Sequence, residues 1–592
     1  MADTPNNKID YQLLGRVLRL ARPHRRVLWT SVLLALVLAP LAILQPRLVQ
    51  MMVDDYIFRL NIEGMTFLLL LLVGVLVLES GMRYFFIYST SLLGQSVIRD
   101  LRVRVFRHIN RLRLSFFDRT PIGTATTRTI NDIETINSVF SQGAITIIAD
   151  LLTLFAVLGI MLYTSWKLTL VCLITLPFLM VATYIFKEKV KASFQIVRTQ
   201  ISRMNAFLQE RITGMRIVQI FNAEAAEMEK FKTINREYTR ANLNSIFYYA
   251  VFYPVVEIVS AASLGLMVWY GARNVISEEV TIGVLVAFPI YLNKLFRPIR
   301  VLADRFNTLQ MGLVAAERVF TLLDRREVIP DEGTAQPARL RGHIEFDGVG
   351  FAYLNAEYVI HDLSFEVQPG ETLAIVGSTG SGKSTIINLI NRFYEIQRGE
   401  IRVDGQPIQH YALGALRERI AIVLQDVFLF SGSVLDNITL RDPHISHDQV
   451  VAAAELIGAH TFIEKLPGGY DYQVMERGAT LSMGQRQLIS FVRALVLDPD
   501  ILILDEATSS VDPETEAVIQ YAIEKLIDKR TSIIVAHRLS TIRHADNIMV
   551  LEHGRKREFG NHDALLQLEN GLYRRLYEMQ FVESEGKVEL GR

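Results

Sequence analysis

The sequence of 592 residues predicts two architectures in one chain: an α-helical membrane domain of six transmembrane helices extended into the cytoplasm, then a soluble α/β domain. Three observations lead there. Half of the residues are hydrophobic and the mean hydropathy is positive, too apolar for an ordinary soluble protein of this length. The apolar segments crowd into the first half of the chain. Beyond a Pro-, Gly- and charge-rich stretch from Arg326 to Gly342, short β-branched runs alternate with helical patterns.

Candidate spans run from Val27 to Val49, Phe67 to Ile87, Ile145 to Tyr163, Leu168 to Phe186, Tyr249 to Tyr270 and Ile282 to Leu295. Each is near the ~20 residues that a bilayer needs, or extendable to it. The last is the weakest, because Pro289 interrupts it and Asn293 and Lys294 follow; a helix lining a cavity carries both features. Arg16, Arg19, Arg22, Arg25 and Arg26 precede the first span, and the loop after it, DDYIFRLNIEG, is acidic, so the N-terminus is expected in the cytoplasm. Two polar, helical segments, residues 94–138 and 188–244, then fall on the cytoplasmic side, each with a contact point at its turn: SFFDRTPIG (Ser115 to Gly123) and GMRIVQIFNAE (Gly214 to Glu224).

Composition excludes several classes. Lys+Arg and Asp+Glu balance at 62 each, which argues against a nucleic-acid binder. Cys172 is the sole cysteine, so neither an intramolecular disulfide nor a Cys-based metal cluster is available. The polar start MADTPNNKID has no short apolar core behind it, so no cleavable signal peptide is expected.

The chemistry lies in the second half. TLAIVGSTGSGKSTIINLI places GxxxxGKS between an apolar strand and a helix. Gly377, Gly380 and Gly382 let the backbone wrap a phosphate chain, Lys383 reaches the terminal phosphates, and Ser384 offers a hydroxyl to Mg²⁺. DILILDEATSSVD ends a second apolar strand at Asp505, suited to the magnesium shell, and Glu506, suited to accept a proton from an attacking water. SIIVAHRL ends a third at His537, a candidate γ-phosphate contact, although an isolated strand-end histidine is usually structural.

Together these residues resemble an ABC transporter of the exporter type, in which six spans and one nucleotide-binding domain share a chain. The resemblance covers nearly the whole sequence, and implies an α/β P-loop NTPase domain of ABC type, with residues 1–325 as membrane domain, 326–342 as linker, 343–580 as nucleotide-binding domain and 581–592 as tail. In the family's terms Tyr353 in FAY stacks on adenine, and the P-loop runs Gly377, Ser378, Thr379, Gly380, Ser381, Gly382, Lys383, Ser384, Thr385. Gln425 in IVLQD is the Q-loop residue, joining Ser384 and Asp505 around Mg²⁺, and Glu476 to Gly478 the ERG segment that communicates with the membrane domain. LSMGQ (Leu481 to Gln485) matches the signature LSGGQ, with Ser482, Gly484 and Gln485 at the partner's ATP; Ser510 to Asp512 match the D-loop, Glu506 the catalytic base and His537 the switch histidine. The two turn segments look like the family's coupling helices.

Met483 stands where the signature's first glycine is expected. A Cβ restricts φ and a long side chain crowds the approach to the partner's ATP, whereas Glu506, Gln425 and His537 are intact. That asymmetry resembles exporters built from two different half-transporters, with one consensus and one degenerate ATP site. The implied partner is a second half-transporter with an intact LSGGQ and an altered catalytic carboxylate; the alternatives are a homodimeric lipid flippase or drug exporter with two active sites, and a nucleotide-gated membrane protein without uphill transport.

The expected function is ATP-driven export of an amphipathic substrate, a drug-like compound, lipid or peptide, across the cytoplasmic membrane by alternating access. Glu79 with Arg83, Asp150, Glu257 and Asn293 with Lys294 lie within or near the spans, where ionisable groups are costly and become functional candidates, or pair structurally. Tyr248, Tyr249, Phe252, Tyr253, Phe288, Tyr291 and Phe296 are candidates to line a substrate pocket, although packing explains such residues equally well.

Overall fold

The computed structural model describes residues 10–57, 59–277, 279–354, 357–505, 513–535 and 542–578. Two compact units emerge: residues 1–110 with 122–325, and residues 111–121 with 326–592.

The first unit is helical. Among the described residues, six helical stretches are long and apolar enough to cross a membrane: Arg22–Ile57, Ile62–Ile109, Ile122–Thr164, Trp166–Thr213, Glu224–Ile276 and Ile282–Leu323. They outlast the bilayer. At 1.5 Å per residue the 48-residue second span is ~72 Å long against a hydrocarbon core of ~30 Å, so half of it or more runs on beyond the membrane. The polar segments 94–138 and 188–244 are these extensions, and the turns between them carry the short helices Leu114–Arg119 and Met215–Ile220.

The fourth and fifth spans pair along their length. Their seam holds a buried Ser193–Ser245 hydroxyl bond of 2.7 Å, an Arg203–Glu237 ion pair of 2.7 Å and, near the turn, Arg211 on Glu227 at 2.6 Å. Toward the other end, Val157, Met161, Leu168, Cys172, Met267, Phe288 and Tyr291 form a core shared by the third to sixth spans. The sixth span runs to Leu323, far beyond the predicted Leu295, with Pro289 and Pro298 inside it. It is the most buried of the six. Its prolines and its lysine sit among protein neighbours rather than lipid, which is where a membrane helix tolerates them.

The sixth helix is capped by its own Thr281, whose hydroxyl accepts the Val284 N–H at 3.3 Å, and the first span adds a carboxylate beside it. Asp54 accepts Thr281 Oγ1 at 2.6 Å and the Gly283 backbone N–H at 2.7 Å. A Cβ on Gly283 would lie 2.5 Å from the Gln50 carbonyl, so the glycine admits this approach.

The second unit holds a six-stranded sheet, in order Arg555–Gly560, Asn547–Glu552, Thr372–Val376, Thr531–Val535, Ile501–Asp505 and Ile420–Val423, and a four-stranded antiparallel sheet beginning with Ile344–Phe351. Five strands of the larger sheet run parallel. Alternate residues serve opposite faces: Leu373, Ile375, Ile501, Ile503 and Ile533 enter one core, Ala374, Val376, Leu502, Leu504 and Ile534 the other. Both faces are covered, hence the unbroken apolar runs TLAIV, ILIL and IIV.

Residues 111–121 belong to this unit. Leu112 bridges Val328, the Arg113 backbone N–H donates to Glu327 O at 2.9 Å, and Phe116 is buried. Within the stretch 326–342, Ala335 likewise bridges Tyr411.

Asp54→Ala removes the acceptor of the Gly283 N–H and the Thr281 hydroxyl at the start of the sixth helix, which costs about 0.5–2 kcal/mol while Thr281 remains as N-cap. Thermal unfolding in detergent is expected to show a lower midpoint for Asp54→Ala and most of the loss recovered in Asp54→Asn, since Asn keeps an acceptor oxygen; equal midpoints for Asp54→Ala and the parent would refute the contribution of this contact.

Candidate nucleotide site

The parallel strands end level, and their ends carry the site. Val535 is in register with Asp505 and with Ile375, so the loops after Val376, Val423, Asp505 and Val535 open at one edge of the sheet. Parallel α/β sheets bind ligands at this edge, because the helix N-termini that follow the strands point there.

The loop after Val376 is shaped by close approaches. A Cβ on Gly377 would lie 2.3 Å from Leu551 O and 2.8 Å from Ser381 Oγ, and Gly382 adopts φ +107°, open to glycine but not to L side chains. The helix Lys383–Ile390 starts immediately after. Lys383 folds back over the loop and its Nζ donates to Gly377 O at 2.8 Å and Ser378 O at 3.0 Å. Burial holds its ammonium below the usual lysine range, and Asp505 raises it partway back. Ser378, Thr379, Gly380 and Ser384 are exposed, while the buried Ser381 Oγ has no hydrogen-bond partner among the described residues. The result is a cationic loop with exposed hydroxyls at Ser378, Thr379 and Ser384 and a buried, unpartnered one at Ser381, complementary to phosphate.

Beside it sits an aromatic group. Tyr353 meets Phe351 and Tyr394 edge to face, with ring centres 4.8 Å and 5.0 Å away, and its hydroxyl donates to Thr385 Oγ1 at 3.1 Å. Tyr353, the phosphate loop and Asp505 are thereby brought together. Ser384 and Asp505 supply hydroxyl and carboxylate oxygens, the hard donors that suit Mg²⁺. Among the described residues no three His, Cys, Asp or Glu side chains form a metal site by themselves. Glu506, Asp512 with the rest of Ser510 to Asp512, and His537 lie outside the described residues.

Gln425 and the signature share a separate cleft of about 340 Å³, lined by Gln425, Asp426, Arg477, Met483, Arg486 and Gln487 among others. Ser482 is the N-cap of the helix Met483–Val496: its hydroxyl accepts the Gln485 N–H at 3.2 Å and the Gln485 side chain accepts the Ser482 N–H at 2.9 Å. Gly484 is buried. Met483 is the first helical residue, with none of the positive φ that would call for glycine. The φ restriction expected from the sequence therefore does not arise here, and the bulk of the side chain is what remains.

Sequence reasoning missed Arg486, which donates to Gly478 O at 3.2 Å and Leu481 O at 3.1 Å and so ties the Glu476–Gly478 turn to the signature. It also missed Tyr394, whose hydroxyl donates to the Asp118 carboxylate. No local pattern marks either contact.

In the membrane unit the ionisable candidates are largely paired. Glu79 meets Arg83 at 2.8 Å and Lys294 at 3.5 Å, and Arg305 meets Asp150 at 2.8 Å; Glu257 is exposed. Phe288, Tyr291 and Phe296 are buried in the helical core, and Phe252 stacks on Phe186 at 3.9 Å. Tyr253 is exposed. Tyr249, Phe252 and Tyr253 cluster with Phe186, and Phe252 also packs against the core that holds Phe288, Tyr291 and Phe296.

Known proteins agree with this geometry. Residues 28–299 match the ABC transporter transmembrane region and residues 360–509 the ABC transporter family. The chain is 41% identical, over 97% of its length and 95% of the relative, to the uncharacterized ABC transporter ATP-binding protein YknV of Bacillus subtilis (strain 168). It is 38% identical, over 88% of its length and 78% of the relative, to the probable multidrug resistance ABC transporter ATP-binding/permease protein YheH of the same organism. An ATP-dependent lipid A-core flippase of Syntrophus aciditrophicus (strain SB) is 34% identical over 99% of this chain and 97% of its own. With six spans and a transmembrane-region match, the protein is integral to the cytoplasmic membrane and its ATP-binding domain is cytoplasmic. The chain belongs to the ABC transporter family, as an exporter-type half-transporter that couples ATP hydrolysis to transport.

Proposed function

We propose that the protein exports an amphipathic substrate by alternating access, as one subunit of a heterodimer with one consensus and one degenerate ATP site. The observation that carries the chemistry is Lys383, a buried cation whose ammonium donates, among the described residues, to the loop carbonyls of Gly377 and Ser378, at the sheet edge where Asp505 ends its strand. The substrate class is supported by the relatives named for multidrug resistance and for lipid A-core flipping.

In this reading Lys383 exchanges its two carbonyls for the terminal phosphates, the amides from Ser378 to Thr385 hold the chain of phosphates, and Tyr353 carries the adenine. Ser384, Gln425 and Asp505 would hold Mg²⁺, which neutralises charge on the phosphates. Glu506 takes the proton of the attacking water, and His537 contacts the γ-phosphate. Ser482, Gly484 and Gln485 face the ATP of the partner chain, with Asp512 beside it. ATP binds the closed arrangement better than the open one, and this difference drives the switch from inward-facing to outward-facing.

The partner is a second half-transporter with LSGGQ and an altered catalytic carboxylate. Support comes from the bulk of Met483 at the helix end, beside an otherwise intact catalytic set. A homodimer is the second reading. The ordinary helical φ at Met483 favours it, because the backbone there does not need glycine.

Lys383→Ala removes a charged donor worth about 1.5–3 kcal/mol, so nucleotide Kd at this P-loop is expected to rise by roughly 10-fold or more. Unchanged affinity in equilibrium binding would reject the assignment. Glu506→Gln is expected to keep ATP binding and lower turnover by roughly 10²–10⁴-fold. Near-normal steady-state ATPase would remove Glu506 from the role of base.

Met483→Gly separates the two assemblies. In a heterodimer it raises turnover only modestly, since the site it repairs lacks a carboxylate base on the partner's side. In a homodimer it repairs two sites already furnished with Glu506, so ATPase rises clearly. Hydrolysis and flux measured in membranes, with and without a candidate partner, decide; full transport by the chain alone sinks the heterodimer.

A further inference from the structure

The helix Met483–Val496 packs Leu488, Phe491 and Val492 into the core that also holds Val423 and Leu504. Gln487 precedes Phe491 by one turn, so it lies on the same side of the helix, and it is 4% exposed. Its Oε1 is buried with no hydrogen-bond partner among the described residues. A buried acceptor without a donor costs free energy, and a native fold keeps one where another state supplies the donor.

Gln487 borders two spaces. The cleft of about 340 Å³ carries Gln425, and a second, small cavity is lined by Val423, Phe491, Leu504 and Asp505 among others. Among the described residues, Gln487 alone lines both. Strand register accounts for this. Val423 pairs with Leu504, Gln425 follows Val423 by two residues and Asp505 follows Leu504 directly. The loop carrying Gln425 thus starts beside the strand end carrying Asp505, and the Gln487 amide meets both. The neighbouring Arg486 turns its Nη1 back to Gly478 O and Leu481 O, and Arg477 is exposed on the turn Glu476–Gly478.

We propose that Gln487 is a positioning residue for Gln425: when nucleotide and Mg²⁺ are bound, Gln487 Oε1 accepts the Gln425 side-chain N–H, which leaves the Gln425 Oε1 facing the metal. The inference rests on the reading that Gln425 and Asp505 hold Mg²⁺. A side-chain amide carries its oxygen and its nitrogen at equal reach, so its hydrogen bonds decide which end meets a cation. An acceptor such as Gln487 Oε1 takes the nitrogen end alone. Partners that orient a metal-holding group in this way contribute about 10–100-fold in metal affinity. Gln487 itself touches neither metal nor phosphate.

The test reads what the metal does to nucleotide affinity. A fluorescent, non-hydrolysable ATP analogue is titrated onto the full-length chain in detergent, with saturating Mg²⁺ and with EDTA, and the ratio of the two Kd values measures how far the metal tightens binding. In Gln487→Met, which keeps the length of the side chain and loses the oxygen, the ratio is expected to fall toward one, a loss of roughly 10-fold, with the Kd in EDTA changed by less than about two-fold. Gln487→Glu keeps an acceptor oxygen at the same reach and is expected to retain the ratio better. Apolar replacement of a buried group that lacks a partner is close to neutral for folding, and Gln487→Leu, measured in parallel with the thermal midpoint of each variant, gives a second apolar side chain.

Gln425→Ala and the double variant with Gln487→Met close the cycle. Two residues acting through one bond give a double variant no worse than Gln425→Ala alone. An unchanged ratio in Gln425→Ala overturns the reading of Gln425 as a metal-holding residue, and the proposal with it. A lowered ratio in Gln425→Ala beside the parent's ratio in Gln487→Met overturns the proposal alone. So do additive losses in the double variant, and so does an equal loss of affinity with Mg²⁺ and with EDTA in Gln487→Met, which is what a merely structural role gives.

Discussion

Burial of one sheet on both faces is the constraint from which the soluble unit follows. Leu373 and Ile375 face one core, Ala374 and Val376 the other, and the same alternation runs through Ile501–Asp505 and Thr531–Val535. A one-residue slip of any of these strands would exchange its two sets of side chains between cores of different shape. Register is therefore fixed, and with it the level at which Val376, Val423, Asp505 and Val535 stop. The phosphate loop needs this. A carbonyl from a neighbouring strand, Leu551 O, lies where a Cβ on Gly377 would be, so loop and sheet are fitted at atomic contact.

The same logic changes the meaning of Met483. The signature is a helix start, and its backbone is set by the reciprocal bonds of Ser482 and Gln485, which the first helical residue leaves untouched. A capping box satisfies two N–H donors that an anion would otherwise claim. The Ser482 hydroxyl accepts the Gln485 N–H and keeps its own O–H to donate to a phosphate, and Met483 does not oppose that through φ. What Met483 does change is the cleft with Gln425, Arg477 and Arg486, where a flexible thioether replaces open space. Its influence is thus as much on the chain's own Q-loop as on the partner's nucleotide.

Legibility in the sequence followed the range of the forces. The spans were readable because a bilayer demands ~20 apolar residues in a row. The central strands were readable because two-faced burial leaves them without polar interruption, and the phosphate loop because close backbone approach admits glycine alone at Gly377. The sixth span was cut short at Leu295 because Pro289, Lys294 and Pro298 break its apolar run, while the neighbours that make them tolerable come from elsewhere in the chain. The sequence marks SFFDRTPIG as a contact point but not what Arg111–Pro121 touches, for the same reason: its anchors, Val328, Tyr353 and Tyr394, are more than 200 residues away, and one buried phenylalanine leaves no periodic trace. Glu506 and His537 were read from the sequence and lie outside the described residues, so their roles rest on that reading.

The membrane charges follow a different economy. Glu79 is shared between Arg83 on its own helix and Lys294 on the sixth, and Asp150 on the third span meets Arg305 on the sixth. Inside a bilayer such groups are expensive unless matched, and matching them ties the second and third spans to the sixth at two depths. Apolar packing alone gives little orientation between membrane helices, because lipid tails compete on equal terms with side chains. Paired charges supply orientation instead: a helix rotated out of register leaves a carboxylate facing hydrocarbon. The second, third and sixth spans thus hold a defined arrangement while the fourth and fifth keep a seam of their own through Ser193, Ser245, Arg203 and Glu237. The two sets are joined through the apolar core that the third to sixth spans share, so polar contacts set register within each set while that core holds the sets together.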